Sequence, residues 1–194
     1  QELWKSARKD VNLVMLLDTS GSMAGRKMDS ARQAAIQFVE QMGGEDFITV
    51  IAFSDYPNPV VSHEQVGEAG GDVVAALEKL EADGYTTLYD AIGEAASILA
   101  DTGSTQTSNA MVVLSDGMDT RSSRYAFGQS LIEMAAANDT TVFTIAYGSD
   151  ADEDLLADLA LQANGNFYLG DEASIAAIYQ EMSAAFGGSV GVGR

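Results

Sequence analysis

The 194-residue chain predicts an α/β fold: a doubly wound, mostly parallel central sheet with helices on both faces and one short antiparallel edge strand. Two observations predict it. Residues 13–17, 47–53, 110–114 and 141–147 are dominated by apolar, β-prone side chains, as expected of strands covered on both faces. Between them, apolar residues recur every three to four positions, the spacing of helices packed on such a sheet. Alternation of strands and helices at this length implies right-handed crossovers between parallel strands.

Taken in order, residues 1–10 mix Trp4 with Lys5, Arg8 and Lys9 and read as a lead-in to a domain over 11–186. The first strand is expected at about 11–17. Met28, Ala31, Ala35, Phe38, Val39 and Met42 then follow a helical period until Gly43-Gly44 stop it. After the strand at 47–53, Tyr56-Pro57-Asn58-Pro59 forces a turn, and Val60-Val61 suit a short edge strand, where proline is tolerated. Gly70-Gly71-Asp72 is expected to open a helix carrying Val73, Val74, Leu77 and Leu80. The polar loop Asp83-Gly84-Tyr85-Thr86-Thr87 leads into a helix with Leu88, Ile92, Ala95 and Leu99, and a turn-rich connection over 102–108 reaches the strand at 110–114. A helix around Phe127, Leu131, Met134 and Ala135 precedes the strand at 141–147. Leu155, Leu156 and Leu159 mark the next helix, residues 167–169 a short strand, and Ile175, Ile178, Tyr179, Met182 and Phe186 the final helix. Residues 187–194 have the composition of a flexible Gly-rich tail or linker.

Composition narrows the function. Twenty-nine acids against 10 bases give a formal charge of −19, which repels nucleic acid and anionic lipid and favours cationic partners or bound metal. The chain has no cysteine, so disulfide and thiolate chemistry are excluded. No apolar run approaches the ~20 residues that span a bilayer, so no membrane insertion is expected of this segment. The start at Gln1 suggests a mature or excised segment of a larger multidomain chain.

Three polar segments border elements at one sheet edge, where open α/β sheets bind ligands. Asp18-Thr19-Ser20-Gly21-Ser22 follows the first strand, Thr86 precedes a helix, and Asp116 follows the strand at 110–114. They supply three hydroxyls and two carboxylates: Asp18, Ser20, Ser22, Thr86 and Asp116. An all-oxygen set suits a hard cation; six-fold geometry favours Mg²⁺ or Mn²⁺, with Ca²⁺ second.

These segments resemble the metal-ion-dependent adhesion site of the von Willebrand factor A domain family. The likeness rests on D-x-S-x-S at 18–22, on Thr86 within Gly84-Tyr85-Thr86-Thr87-Leu88-Tyr89-Asp90-Ala91, and on Asp116 within Leu114-Ser115-Asp116-Gly117, in the family's order. It covers about Val11 to Phe186. The resemblance implies that Ser20, Ser22 and Thr86 bind the metal directly, while Asp18 and Asp116 act partly through water or as acceptors from the ligand hydroxyls. It also implies an open coordination position, filled by an Asp or Glu of a protein partner. Neutral hydroxyl ligands leave the cation enough charge to attract that carboxylate. Two departures stand out. Tyr85 occupies a position where the family often has glycine, and Met23-Ala24-Gly25 lacks the acids of the second metal site of one integrin branch. The C-terminal helix is the element that shifts in switchable members of the family. The expectation is a non-enzymatic adhesion or assembly module, placed by composition at a bacterial or archaeal surface, extracellular or periplasmic.

Other motifs carry less. A serine or threonine after a strand is commonly a helix cap. Asp150, Asp152 and Asp154 begin like a calcium loop, but the sixth and twelfth positions are Leu155 and Leu161, so a negatively charged helix start is expected. The G-x-S-x-G match at 187–191 has no strand before it and no chain after it for an acid and a histidine. His63 is expected in an exposed loop, and the methionines in the core, with Tyr85 and Tyr56 exposed. The competing function is Mg²⁺-dependent phosphoryl transfer with Asp18 as nucleophile. Ser20 stands where such enzymes commonly carry an acid, and the loops after Phe53, Leu114 and Tyr147 offer no nearby lysine.

Overall fold

The computed structural model describes residues 9–187. Within them one sheet holds β1 (Asp10–Asp18), β2 (Phe47–Phe53), β3 (Pro57–Gln65), β4 (Thr107–Ser115), β5 (Thr141–Tyr147) and β6 (Phe167–Gly170), in the order β3-β2-β1-β4-β5-β6. Every neighbouring pair is parallel except β2 with β3. The helices are α1 (Arg26–Gln41), α2 (Val66–Glu78), α3 (Leu88–Thr102), α4 (Gln129–Ala136), α5 (Glu153–Gln162) and α6 (Ile175–Gly187).

Two-sided burial explains the continuous apolar strands. Leu13, Met15 and Leu17 of β1 join Phe38 of α1, Leu77 of α2 and Met182 of α6 on one face. Val14 and Leu16 join Ile92 of α3, Leu131 of α4 and Leu156 of α5 on the other. Successive residues thus serve opposite layers, and each fully buried aliphatic side chain contributes roughly 1.5–3 kcal/mol of transfer free energy.

The strand order reverses between β1 and β4, which opens a crevice at their carboxyl ends. Leu17 pairs with Leu114 across these strands, so Asp18 and Ser115 stand side by side at the crevice mouth.

Several boundaries differ from the sequence expectation. β3 spans Pro57–Gln65 rather than Val60-Val61 alone; as an edge strand it has an open side on which a missing proline N–H is harmless. α2 starts at Val66, four residues before Gly70. Its first turn is anchored by Val66 N–H to the Asp46 carbonyl at 2.9 Å and Gly67 N–H to the Gly44 carbonyl at 2.8 Å. A Cβ on Gly67 would lie 2.7 Å from that Gly44 oxygen, so this contact requires glycine. β4 begins at Thr107, inside the expected connection, and α4 begins at Gln129, leaving Phe127 exposed before it. His63 is not an exposed loop residue: it lies half-buried in β3, its ring stacked on Phe47 at 4.6 Å. Met15, Met23, Met28, Met111 and Met182 are buried as expected, whereas Met118 and Met134 are exposed. Asp152 caps α5 by accepting from Leu155 N–H, with Glu153 and Asp154 in the first turn, the helix start expected there. α6 extends to Gly187, with Phe186 edge-on to Phe38 and Phe143. Most of the lead-in, including Trp4, and the tail from 188 with most of its G-x-S-x-G pattern lie outside the described residues.

Candidate functional site

Asp18, Ser20, Ser22 and Asp116 come together at the crevice between β1 and β4, and the loop that carries Thr86 is pinned beside them. Asp18, the last residue of β1, is fully buried. Its Oδ1 accepts from the Ser20 N–H at 2.9 Å, and its Oδ2 from the Ser115 hydroxyl at 2.7 Å and the Asp116 N–H at 3.3 Å. Burial pushes the Asp18 carboxyl above its ordinary pKa; hydrogen bonds from Ser20 and Ser115 oppose the shift, and the Asp116 charge adds to it. Asp116 is itself 1% exposed.

The Ser20 and Ser22 hydroxyls face these carboxylates rather than helix amides. Ser22 donates to Asp116 Oδ1 at 2.7 Å, and the Ser20 and Ser22 hydroxyl oxygens lie 3.0 Å apart. Ser20 precedes a single 3₁₀ turn, Gly21–Met23, but its side chain makes no capping bond, and Thr87 makes none at the start of α3. Capping therefore does not account for Ser20.

Backbone hydrogen bonds lock the three segments together. Gly21 N–H donates to the Gly84 carbonyl at 3.0 Å and Asp83 N–H to the Thr19 carbonyl at 2.9 Å, pinning the D-x-S-x-S loop to the loop of Thr86. Thr86 N–H donates to the Thr120 hydroxyl at 3.1 Å, and the Thr86 carbonyl accepts from Thr120 and Arg121 N–H. Gly84 sits at φ +84°, and a Cβ there would lie 2.8 Å from Asp55 Oδ1, the atom that accepts from Tyr85 N–H. Tyr85 is 55% exposed on the rim, with the Arg121 guanidinium 4.5 Å from its ring centroid.

Some contributors were not found by sequence reasoning. The Lys27 ammonium lies 2.8 Å from Asp116 Oδ2. Asp90, 4% exposed, accepts from Ser123, Arg124 and Tyr125 N–H at 2.9–3.0 Å, and Asp119 accepts from Tyr89, Arg121 and Ser122. Together they tie the post-β4 loop to the start of α3. The only available signal was the density of small polar residues over 115–123, which does not say which acid faces which amide.

The donor set fits a small hard cation. Adjacent ligands 2.0–2.1 Å from an octahedral Mg²⁺ lie about 3 Å apart; the Ser20 and Ser22 oxygens, hydrogen-bonded at 3.0 Å, are compatible with that spacing, which is equally that of an ordinary hydroxyl pair. Among the described residues no group of three or more His, Cys, Asp or Glu is arranged to hold a metal; this centre has two carboxylates and depends on hydroxyls. Two buried carboxylates facing one ammonium leave an excess negative charge, and burying unpaired charge is costly. A divalent cation would relieve it.

A family model of the von Willebrand factor type A domain matches residues 12–181. Human inter-alpha-trypsin inhibitor heavy chain H6 is 28% identical over 195 residues, covering 89% of this chain and 14% of its own length. Among solved structures, a von Willebrand factor type A protein from Catenulispora acidiphila superposes with a TM-score of 0.81 at 22% identity, over 93% of this chain and 43% of that one. The vWF domain of the type V pili tip protein Mfa5 from Porphyromonas gingivalis gives 0.76 at 14% identity, over 97% and 98%. The chain thus spans about a seventh of the heavy chain it matches.

Proposed function

The chain belongs to the von Willebrand factor type A domain family, and on that premise we propose that it is a non-enzymatic, metal-dependent protein-binding module. Residues 11–186 form the binding domain of a longer chain. Ser20, Ser22 and Thr86 would hold Mg²⁺ or Mn²⁺, with Asp18 and Asp116 supporting it as acceptors. The ion supplies an electrophilic centre for an Asp or Glu of a protein partner. The observation that carries the reading is that three sequence-distant segments meet at two buried carboxylates and a hydrogen-bonded pair of serine hydroxyls. The likeness to a pilus tip domain and to a heavy chain supports placement at the cell surface or outside the cell. No helix among the described residues is long and apolar enough to cross a membrane.

Lys27 bears on the phosphoryl-transfer alternative, because it brings to the site the lysine that the strand-end loops lack. Asp18 counts against it. A nucleophile must reach the phosphorus atom, yet Asp18 is fully buried and both its oxygens are engaged. The binding module is the better reading. Binding of an acidic protein or peptide should require Mg²⁺ and disappear in EDTA; binding that survives EDTA refutes the adhesion mechanism. Magnesium-dependent release of phosphate from an aryl phosphate, lost in Asp18→Ala, would establish the enzyme instead.

A further inference from the structure

Lys27 is a charged group at the centre that the adhesion-site reading leaves unused. Its ammonium contacts Asp116 Oδ2 at 2.8 Å, with the lysine side chain 28% exposed and the Asp116 side chain fully buried. Two features hold it in place. The Tyr147 hydroxyl donates to the Lys27 carbonyl at 3.2 Å, fixing the first turn of α1 against β5. Gly148, at φ +95°, leaves room for the ammonium: a Cβ there would lie 3.3 Å from Nζ. The two oxygens of Asp116 are therefore divided. Oδ1 faces the hydroxyl of Ser22, a proposed metal ligand, and Oδ2 is held by the lysine.

We infer that Lys27 is a built-in counter-cation that neutralises Asp116 in the metal-free protein and weakens the site's hold on a divalent ion. This rests on the metal-site reading above. A positive charge bonded to one oxygen of Asp116 opposes a cation drawn to the other side of the same carboxylate. Linkage makes the effect reciprocal: if the bridge weakens metal binding, the metal weakens the bridge by the same factor. Lys27 then offsets one of the two buried carboxylates without metal, and the ion acts as an exchangeable switch for partner binding.

Calorimetric titration with Mg²⁺ of the wild type, Lys27→Met and Lys27→Arg tests this. Methionine keeps much of the apolar stem and removes the charge; arginine keeps the charge. Lys27→Met should bind Mg²⁺ roughly tenfold more tightly, the order expected for removing one nearby charge in a partly screened site. Lys27→Arg should stay close to wild type. In EDTA, Lys27→Met should unfold at a lower temperature than wild type, and Mg²⁺ should close the gap. Equal or weaker Mg²⁺ binding by Lys27→Met overturns the role of Lys27 and leaves the metal site standing. No Mg²⁺ binding by any of the three overturns both. Should Lys27→Met fail to fold, acetylation of the wild type read by mass spectrometry decides, with the exposed Lys79 as reference. Mg²⁺ should raise the Lys27 rate severalfold, and an unchanged rate refutes the competition.

Discussion

Replacing Asp116 with asparagine separates the metal from the fold. The exchange is nearly isosteric, and the Ser22 hydroxyl keeps an acceptor. What is lost is the ion pair with Lys27, whose side chain is 28% exposed; partial solvation limits that loss to about 1 kcal/mol. Removing the charge beside the buried Asp18 works in the opposite direction. Stability in EDTA should therefore stay within about 1 kcal/mol of wild type, a shift of roughly 2–4 °C in Tm for a domain of this size. Mg²⁺ at a hundred times its dissociation constant should stabilise the wild type by about 2.7 kcal/mol, or roughly 5–11 °C. In Asp116→Asn that gain should fall below about 2 °C, corresponding to an affinity loss of about a hundredfold. Differential scanning calorimetry in EDTA and in MgCl₂ measures both terms. A variant that keeps the full Mg²⁺ gain refutes the assignment of Asp116, and a collapse in EDTA assigns it to the fold instead.

Other perturbations probe the scaffold. Asp90→Ala leaves three backbone N–H donors of the 123–125 segment without their acceptor and should cost about 3 kcal/mol; chemical denaturation showing no loss would contradict this anchoring role. Gly84→Ala meets both a positive φ and Asp55. It should cost about 1–2 kcal/mol and weaken Mg²⁺ binding by displacing Thr86, both measurable by calorimetry. Burial pushes the Tyr147 phenol up to about 12 from 10.0. The folded state thus favours the protonated form, so its stabilising contribution is full below pH 10 and is lost as the pH rises towards about 12. Tyr147→Phe should show a shallower alkaline decline in Tm, and an unchanged slope would count against this burial effect.

The sheet was legible because two-sided burial writes an uninterrupted apolar run into each central strand, as in residues 13–17. Its edges were harder to read. Prolines in β3 and glycines in α2 suggest breaks, yet an open strand side tolerates Pro57 and Pro59, and Gly67 serves a close backbone contact. His63 was misplaced for the same reason, since the proline turn hid the strand that stacks it on Phe47. The three polar segments were legible as a spaced motif; the structure joins Asp18, Ser20, Ser22 and Asp116 in one crevice and pins the Thr86 loop beside them. Lys27 carries no such signal: it is one helix residue whose partner lies 89 positions away. Asp90 and Asp119 look like ordinary acids until the loop amides they hold are placed around them.

The central claim is that this crevice holds a divalent ion whose coordination a partner carboxylate completes. A crystal grown with Mn²⁺ and an acidic peptide tests it most directly, through the anomalous signal of the metal. The expected result is one Mn²⁺ bound to the hydroxyl oxygens of Ser20, Ser22 and Thr86, with a peptide carboxylate at the open position. An empty crevice at saturating Mn²⁺, or a peptide bound away from the metal, would contradict it.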